Sequence, residues 1–190
     1  MKGGGSLEFR GYKINVIVLV IILVIVAFFS GKYLFNRYNI EKPLINELKE
    51  IEGVNDIHII DNHNKKDIII VFEKDINFFE VYQEAENVID STLSDKLGRV
   101  IIKNEEINKM DDVYYDMHYA IYEGVYTKKF VEMEKNIGKI AGIHELDNFK
   151  LWINNKAIFL QLEKDGASCY HRFPYDSSIS VKTEGGVVNG

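Results

Sequence analysis

Between Val16 and Phe29 the chain carries no polar residue. Lys13 and Lys32 bracket this run, with 18 residues between them. At about 1.5 Å per residue a helix of that length covers roughly 27 Å, close to the ~30 Å of a bilayer core. Val and Ile dominate the run and lower its helix propensity in water. In lipid every backbone group must pair internally, which leaves a helix as the single-segment solution. The run is apolar on all sides and so has no amphipathic face to lay on a protein core. Tyr12 and Tyr33 stand where interfacial aromatics belong, and Lys13 and Lys32 can snorkel to the headgroups. The expectation is a transmembrane helix over 14–30, after a short tail (1–13) and before a juxtamembrane linker (31–40).

A cleaved signal peptide fits less well, because cleavage favours small residues at −3 and −1. Cleavage after Ser30 would put Phe28 at −3, and cleavage after Gly31 would put Phe29 there. The only cysteine, Cys169, lies far downstream, so a lipoprotein is excluded. Basic residues flank the run almost evenly: Lys2, Arg10 and Lys13 before it, Lys32, Arg37, Lys42 and Lys49 after it. A short basic N-terminus tends to stay inside, which places the large domain on the non-cytoplasmic side.

The 190-residue average conceals the character of the rest. Setting aside Lys2, Arg10, Lys13, Lys32, Arg37 and Glu8 leaves 18 basic and 28 acidic residues from Tyr38 onward, a net charge of −10. Such a domain is a poor partner for nucleic acid or anionic lipid. One cysteine excludes an intramolecular disulfide framework and a cysteine-rich zinc site.

Local patterns predict an α+β fold. Pro43 suits a first helical turn, and Leu44, Ile45, Leu48 and Ile51 give a short amphipathic helix ending at Gly53. Val54–Ile60 reads as a strand, Asp61 to Lys66 as a hairpin loop, and Ile68–Phe72 as a strand buried on both faces. Asn77 with Glu80 forms a capping-box pattern for a helix carrying Phe78, Val81, Tyr82, Ala85, Val88, Ile89 and Leu93. Leu97-Gly98 ends it, and Val100–Ile102 makes a third strand. The result is an αββαβ unit over 41–104. A second unit, 105–176, begins with one long helix from about Met110 to Ala141. Its stripe is Tyr115, Tyr119, Tyr122, Tyr126, Phe130, Met133, Ile137 and Ile140. Gly124 or Gly138 is expected to mark any bend. A three-stranded antiparallel meander follows, with turns at Asn154–Lys156 and Lys164–Gly166. The Gly-Gly-Gly-Ser run at 3–6 and the tail 177–190 read as flexible.

Four groups could carry chemistry. His58, Asp61 and His63 combine imidazole and carboxylate as a divalent-metal site would, at a spacing that defines no known motif. Glu105, Glu106, Asp111, Asp112 and Asp116 form an acidic patch that also suits a helix N-terminus. Cys169 and His171, two apart on a strand, share a face as a nucleophile and base would, with Asp176 near by in sequence. Tyr115, Tyr119, Tyr122 and Tyr126 suit a protein interface or a carbohydrate platform, although a stripe at this spacing is more often a core seam, with His118 a satisfied core histidine beside it. No phosphate-binding loop, G-x-S-x-G, H-E-x-x-H or nucleotide fingerprint is present.

The segment Ile51-Glu-Gly-Val-Asn-Asp-Ile-His58, with Val100-Ile-Ile-Lys103, resembles the small cytoplasmic domain of cation-diffusion-facilitator transporters. That family usually has proline where this chain has Glu52, and it has several membrane helices bearing metal ligands, so the likeness does not imply transport here. The same element order after one anchor is similar to the ring-building modules of membrane-anchored secretion and sporulation-channel proteins. That resemblance covers residues 41–103 and implies side-by-side assembly. The sequence therefore predicts a single-pass membrane protein without a cofactor. Its acidic, non-catalytic domain is expected to bind a protein partner or its own copies, and no nucleic acid. The alternative is a ligand- or metal-sensing domain built on His58, Asp61 and His63.

Overall fold

The computed structural model describes residues 8–9, 12–63, 65–104, 106, 110–175 and 182–184, with backbone alone at 8–9, 12–15, 32–33, 36 and 182–184. The chain divides into two compact units, Met1–Pro43 and Leu44–Gly190.

In the first unit, β1 (Glu8–Phe9) pairs antiparallel with β2 (Tyr12–Lys13), within the short tail 1–13, and the Gly-Gly-Gly-Ser run at 3–6 lies outside the described residues. Helix α1 (Ile14–Asn36) follows and passes into a π-helical turn, Arg37–Glu41. The linker expected over 31–40 is thus helical. Asn39 Nδ2 donates to the Phe35 carbonyl at 3.1 Å, and the Lys42 ammonium lies 4.1 Å from the Tyr38 ring centroid. Every described side chain from Val16 to Gly31 is exposed, on all sides of α1. Counting described side chains only, no helix is long and apolar enough to cross a membrane. In α1 those side chains run from Val16 to Gly31 and resume at Leu34 and Phe35. The flanking side chains of Tyr12, Lys13, Lys32 and Tyr33 lie outside the described ones.

The second unit is α+β. Helix α2 (Lys42–Lys49), with Pro43 in its first turn, buries Leu44 and Leu48. Strands β3 (Val54–Asn62) and β4 (Lys65–Phe72) form a tighter hairpin than the sequence indicated, because Asp61, Asn62, Lys65 and Lys66 belong to the ladder. Helix α3 (Phe78–Leu93) starts at Asn77, whose Oδ1 accepts from the Glu80 N–H, as the capping pattern predicts. It crosses over to β5 (Leu97–Lys103), which runs parallel to β4. Leu97 and Gly98 therefore begin the strand, and a short 3-10 turn at Ser94–Lys96 ends the helix. Gly98 is dictated by packing: a Cβ there would collide with the Asp67 carboxylate. Register sets Ile57, Ile70 and Ile102 side by side, on the face where Phe72 meets Phe78 and Tyr82 of α3. A fourth strand, β9 (Lys182–Glu184), joins β5 in parallel, inside the tail expected to be flexible.

The long helix of the sequence reading is two helices, α4 (Asp111–Thr127) and α5 (Phe130–Ile143). The break falls at neither glycine. It falls at Lys128, which takes the left-handed conformation at φ 58°. Asp116 meets His144 and Gly124 meets Met133, so the two helices run antiparallel. The physical reason is burial. Folding back brings Met133, Ile137 and Ala141 into one core with Val113, Met117 and Ile121. A straight helix would have left one of these sets in water.

The meander is β6 (Asn148–Ile153), β7 (Ala157–Lys164) and β8 (Ala167–Pro174), in the order β6-β7-β8. Its β7–β8 turn holds Asp165 and Gly166 at positive φ, the pairing that suits a two-residue hairpin. Both faces of this sheet are covered. Ile158, Leu160 and Leu162 meet α4 and α5, while Phe159 meets Phe78, Phe79 and Tyr82 of α3. Helix α3 thus lies between the two sheets. Asn104, just after β5, closes the join: its amide donates to the Tyr170 carbonyl at 3.0 Å and accepts from the Tyr170 N–H at 2.9 Å. One side chain thereby imitates a neighbouring strand at Tyr170, on the open edge of β8.

Candidate functional site

Helix α4 reads Asp-Asp-Val-Tyr-Tyr-Asp-Met-His-Tyr-Ala-Ile-Tyr-Glu-Gly-Val-Tyr-Thr. Two carboxylates in its first turn complement the helix dipole. Two interleaved stripes share it. Val113, Met117, Ile121 and Gly124 are buried and rest on the meander and α5. Gly124 permits close approach of the two helices, since a Cβ there would lie 2.6 Å from Met133. The other stripe points away from the core. Tyr115 is 61% exposed, Tyr119 58%, Tyr122 55% and Tyr126 91%. The core-seam expectation for these tyrosines is overturned. Met, Ile and Val lose more by hydration than tyrosine, whose hydroxyl is content in water, so they take the inner face.

The outer face is ordered. The Tyr115 and Tyr119 rings meet edge to face at 5.1 Å, and the Tyr119 hydroxyl donates to that of Tyr115 at 2.6 Å. That hydrogen bond raises the Tyr119 pKa and keeps it a neutral phenol. Tyr122 lies beside His118 at 4.4 Å between ring centroids. Asp112, Asp116 and Glu123 are exposed along the same helix, and Asp116 pairs with His144 at 2.8 Å.

Beneath this face, toward β8, is an aromatic cluster with two histidines. Tyr114 stacks on His171 at 4.1 Å, and Phe173 and His118 complete the group. His171 is buried, and neither ring nitrogen has a hydrogen-bond partner among the described residues. Burial, with His118 near by, pushes its pKa down to about 3. His118 is half-buried and its Nδ1 has no partner among the described residues, so it is not the satisfied core histidine expected.

The other sequence candidates do not converge. His58 meets Asp56 at 3.1 Å, Asp61 pairs with Lys66 at 2.7 Å, and the His63 ring meets Asn62 at 3.0 Å. On a straight strand His58 and Asp61 point to opposite faces. Among the described residues no three metal-ligating side chains come together. In the acidic patch, Glu106 pairs with Lys74 at 2.7 Å, and Glu105 lies outside the described residues. Cys169 and His171 do share a face, but both are fully packed in the core. Burial, then the Asp111 and Glu106 carboxylates, push the thiol up to about 12. A neutral buried thiol beside a neutral buried imidazole is not a nucleophile–base pair. Asp176 lies outside the described residues. Two of the best-formed pockets hold about 10 and 30 Å³, far below the 300 Å³ or more of a small-molecule site.

No family model matches the chain, and no curated protein or solved structure is similar to it.

Sequence reasoning missed two buried ion pairs. Asp67 is buried in β4, and its carboxylate accepts from the Arg99 side chain at 2.6 Å and the Arg99 N–H at 2.8 Å. Burial works to raise its pKa, but Arg99 and the Asn62 amide outweigh that and hold it below the usual carboxylate value. Arg172 of β8 is buried and meets Glu86 of α3 at 3.2 Å. Its guanidinium lies over the rings of Tyr82 and Phe159, 5.5 and 5.8 Å from their centroids. The available signal was Arg172 in a strand otherwise rich in apolar residues.

Proposed function

We propose that the chain is a single-pass membrane protein whose acidic α+β domain is a protein-interaction or assembly module. Ile14 to Phe29 crosses the bilayer, and the domain stands on the non-cytoplasmic side. The observation that carries the interaction reading is the outward tyrosine face of α4. Four exposed tyrosines in three turns present large rings with hydroxyl tips, the amphipathic area that is enriched at interface centres. The anchor reading is supported by α1, whose described side chains are apolar but for Ser30 and exposed all round. The α2–β3–β4–α3–β5 order resembles that of modules that dock against other proteins in membrane assemblies, which supports an interaction module rather than any particular face of it.

The test combines fractionation with site-specific photo-crosslinking in native membranes. The full chain is expected to remain in the membrane pellet after alkaline carbonate. A photoreactive residue at Tyr119 or Tyr126 is expected to give discrete adducts, and one at exposed Glu84 of α3 none. Release of the chain into the supernatant would remove the anchor. Equal labelling from Glu84 and Tyr119 would remove the tyrosine face as the interface.

A further inference from the structure

Helix α4 carries five tyrosines and four carboxylates and no lysine or arginine. At 100° per residue, Tyr115, Tyr119, Tyr122 and Tyr126 centre on the side opposite Val113, Met117 and Ile121, and Asp112, Glu123 and Asp116 form a row beside them. The surface is therefore an aromatic strip about 16 Å long edged by negative charge. Among the described residues Asp112 and Glu123 make no ion pair, so two of the three edge charges await a partner.

Building on the reading of this face as an interface, we infer that its occupant is an arginine-rich segment of a partner protein. Guanidinium groups would lie over the tyrosine rings and pair with Asp112, Asp116 and Glu123. Tyrosine faces attract cations through the ring quadrupole, and arginine stacks on them while keeping donors free for carboxylates. The chain already uses this chemistry internally. Arg172 lies over Tyr82 and Phe159 and meets Glu86 at 3.2 Å, which is the same set of aromatic ring, carboxylate and guanidinium. Other occupants fit less well. A second copy docking through the same face would oppose two rows of carboxylates, on domains already at −10. Anionic lipid and nucleic acid are repelled for the same reason.

The test is a fluorescence-anisotropy titration of the full chain in neutral detergent. The probe is a fluorescein-labelled helix-forming peptide with arginine at every third or fourth position, and its counterpart has citrulline in place of arginine. The arginine peptide is expected to bind, more weakly as salt rises, and the citrulline peptide not to bind. The triple variant Tyr115→Gln, Tyr119→Gln, Tyr126→Gln keeps the net charge and every buried contact of α4, and should weaken binding by about tenfold or more. Asp112→Asn with Glu123→Gln should weaken it to a similar degree. Equal binding by the parent and the tyrosine variant would mean attraction by net charge alone and would overturn the inference, as would equal binding of the two peptides. Crosslinks from Tyr119 in native membranes alongside a failed titration would keep the interface and discard the basic partner. Absence of both would discard the interface itself.

Discussion

Replacing Glu86 with alanine is expected to lower the stability of the α+β unit by about 3–5 kcal/mol. Arg172 is 4% exposed, and among the described residues its Nε and Nη1 have no hydrogen-bond partner. Glu86 accepts from its Nη2 at 3.2 Å and also meets Lys156 at 3.2 Å. Removing the carboxylate strands a guanidinium between α3 and the meander, where only the Tyr82 and Phe159 rings remain to stabilise it. In a unit of this size the loss corresponds to roughly 10 °C in Tm. Thermal unfolding of the full chain in detergent measures it. The double variant Glu86→Leu, Arg172→Met should recover most of the loss, because a pair of apolar side chains carries no desolvation cost. A loss below about 1 kcal/mol for Glu86→Ala would show that water reaches Arg172.

Acid should weaken the fold before the carboxylates titrate. His171 has a folded pKa pushed down to about 3 by burial, against an ordinary value of 6.5. The unfolded chain therefore binds the proton that the folded chain refuses. This stability is fully present above about pH 6.5 and is lost progressively as pH falls toward 3. The full span is on the order of 5 kcal/mol. His118, also lowered by burial, adds to the same window. Asp67 acts lower still: its pKa lies below 3.8, so the stability it contributes disappears only as pH falls below that value. Denaturant unfolding at a series of pH values separates the two windows. His171→Leu should flatten most of the slope between pH 6.5 and 4 and leave the fold no less stable at pH 7.5, since the imidazole makes no hydrogen bond to the described residues. An unchanged slope in that variant would contradict the burial of His171.

Much of the fold was legible where one rule acted alone. The Asn77–Glu80 cap and the stripe from Phe78 to Leu93 marked α3, and the Asp165-Gly166 turn marked the β7–β8 hairpin. Legibility failed where two rules competed. In α4, Tyr115–Tyr126 and Val113–Gly124 both repeat at helical spacing, so periodicity cannot choose the inner face. The choice follows from hydration, which tyrosine tolerates and Met117 or Ile121 does not. The break at Lys128 was hidden because lysine is a good helix former, and no glycine or proline stands there. In β8 the strand is covered on both faces, so alternation says nothing about where His171 and Arg172 point. Their burial depends on α3 and α4 arriving from opposite sides, a tertiary fact absent from the local pattern. The metal candidates failed for a related reason: closeness in sequence was not closeness in space, since a strand sends His58 and Asp61 to opposite faces.

The tyrosine face exists only through the orientation of α4, tyrosines outward and Met117 inward. Hydroxyl-radical footprinting of the full chain, dilute in neutral detergent and read by mass spectrometry, tests it at residue level. Tyr115, Tyr119 and Tyr126 are expected to oxidise rapidly, while Tyr82, Met117 and Cys169 are protected, in keeping with their burial. Protection of Tyr119 and Tyr126 to the level of Tyr82, with rapid oxidation of Met117, would contradict it.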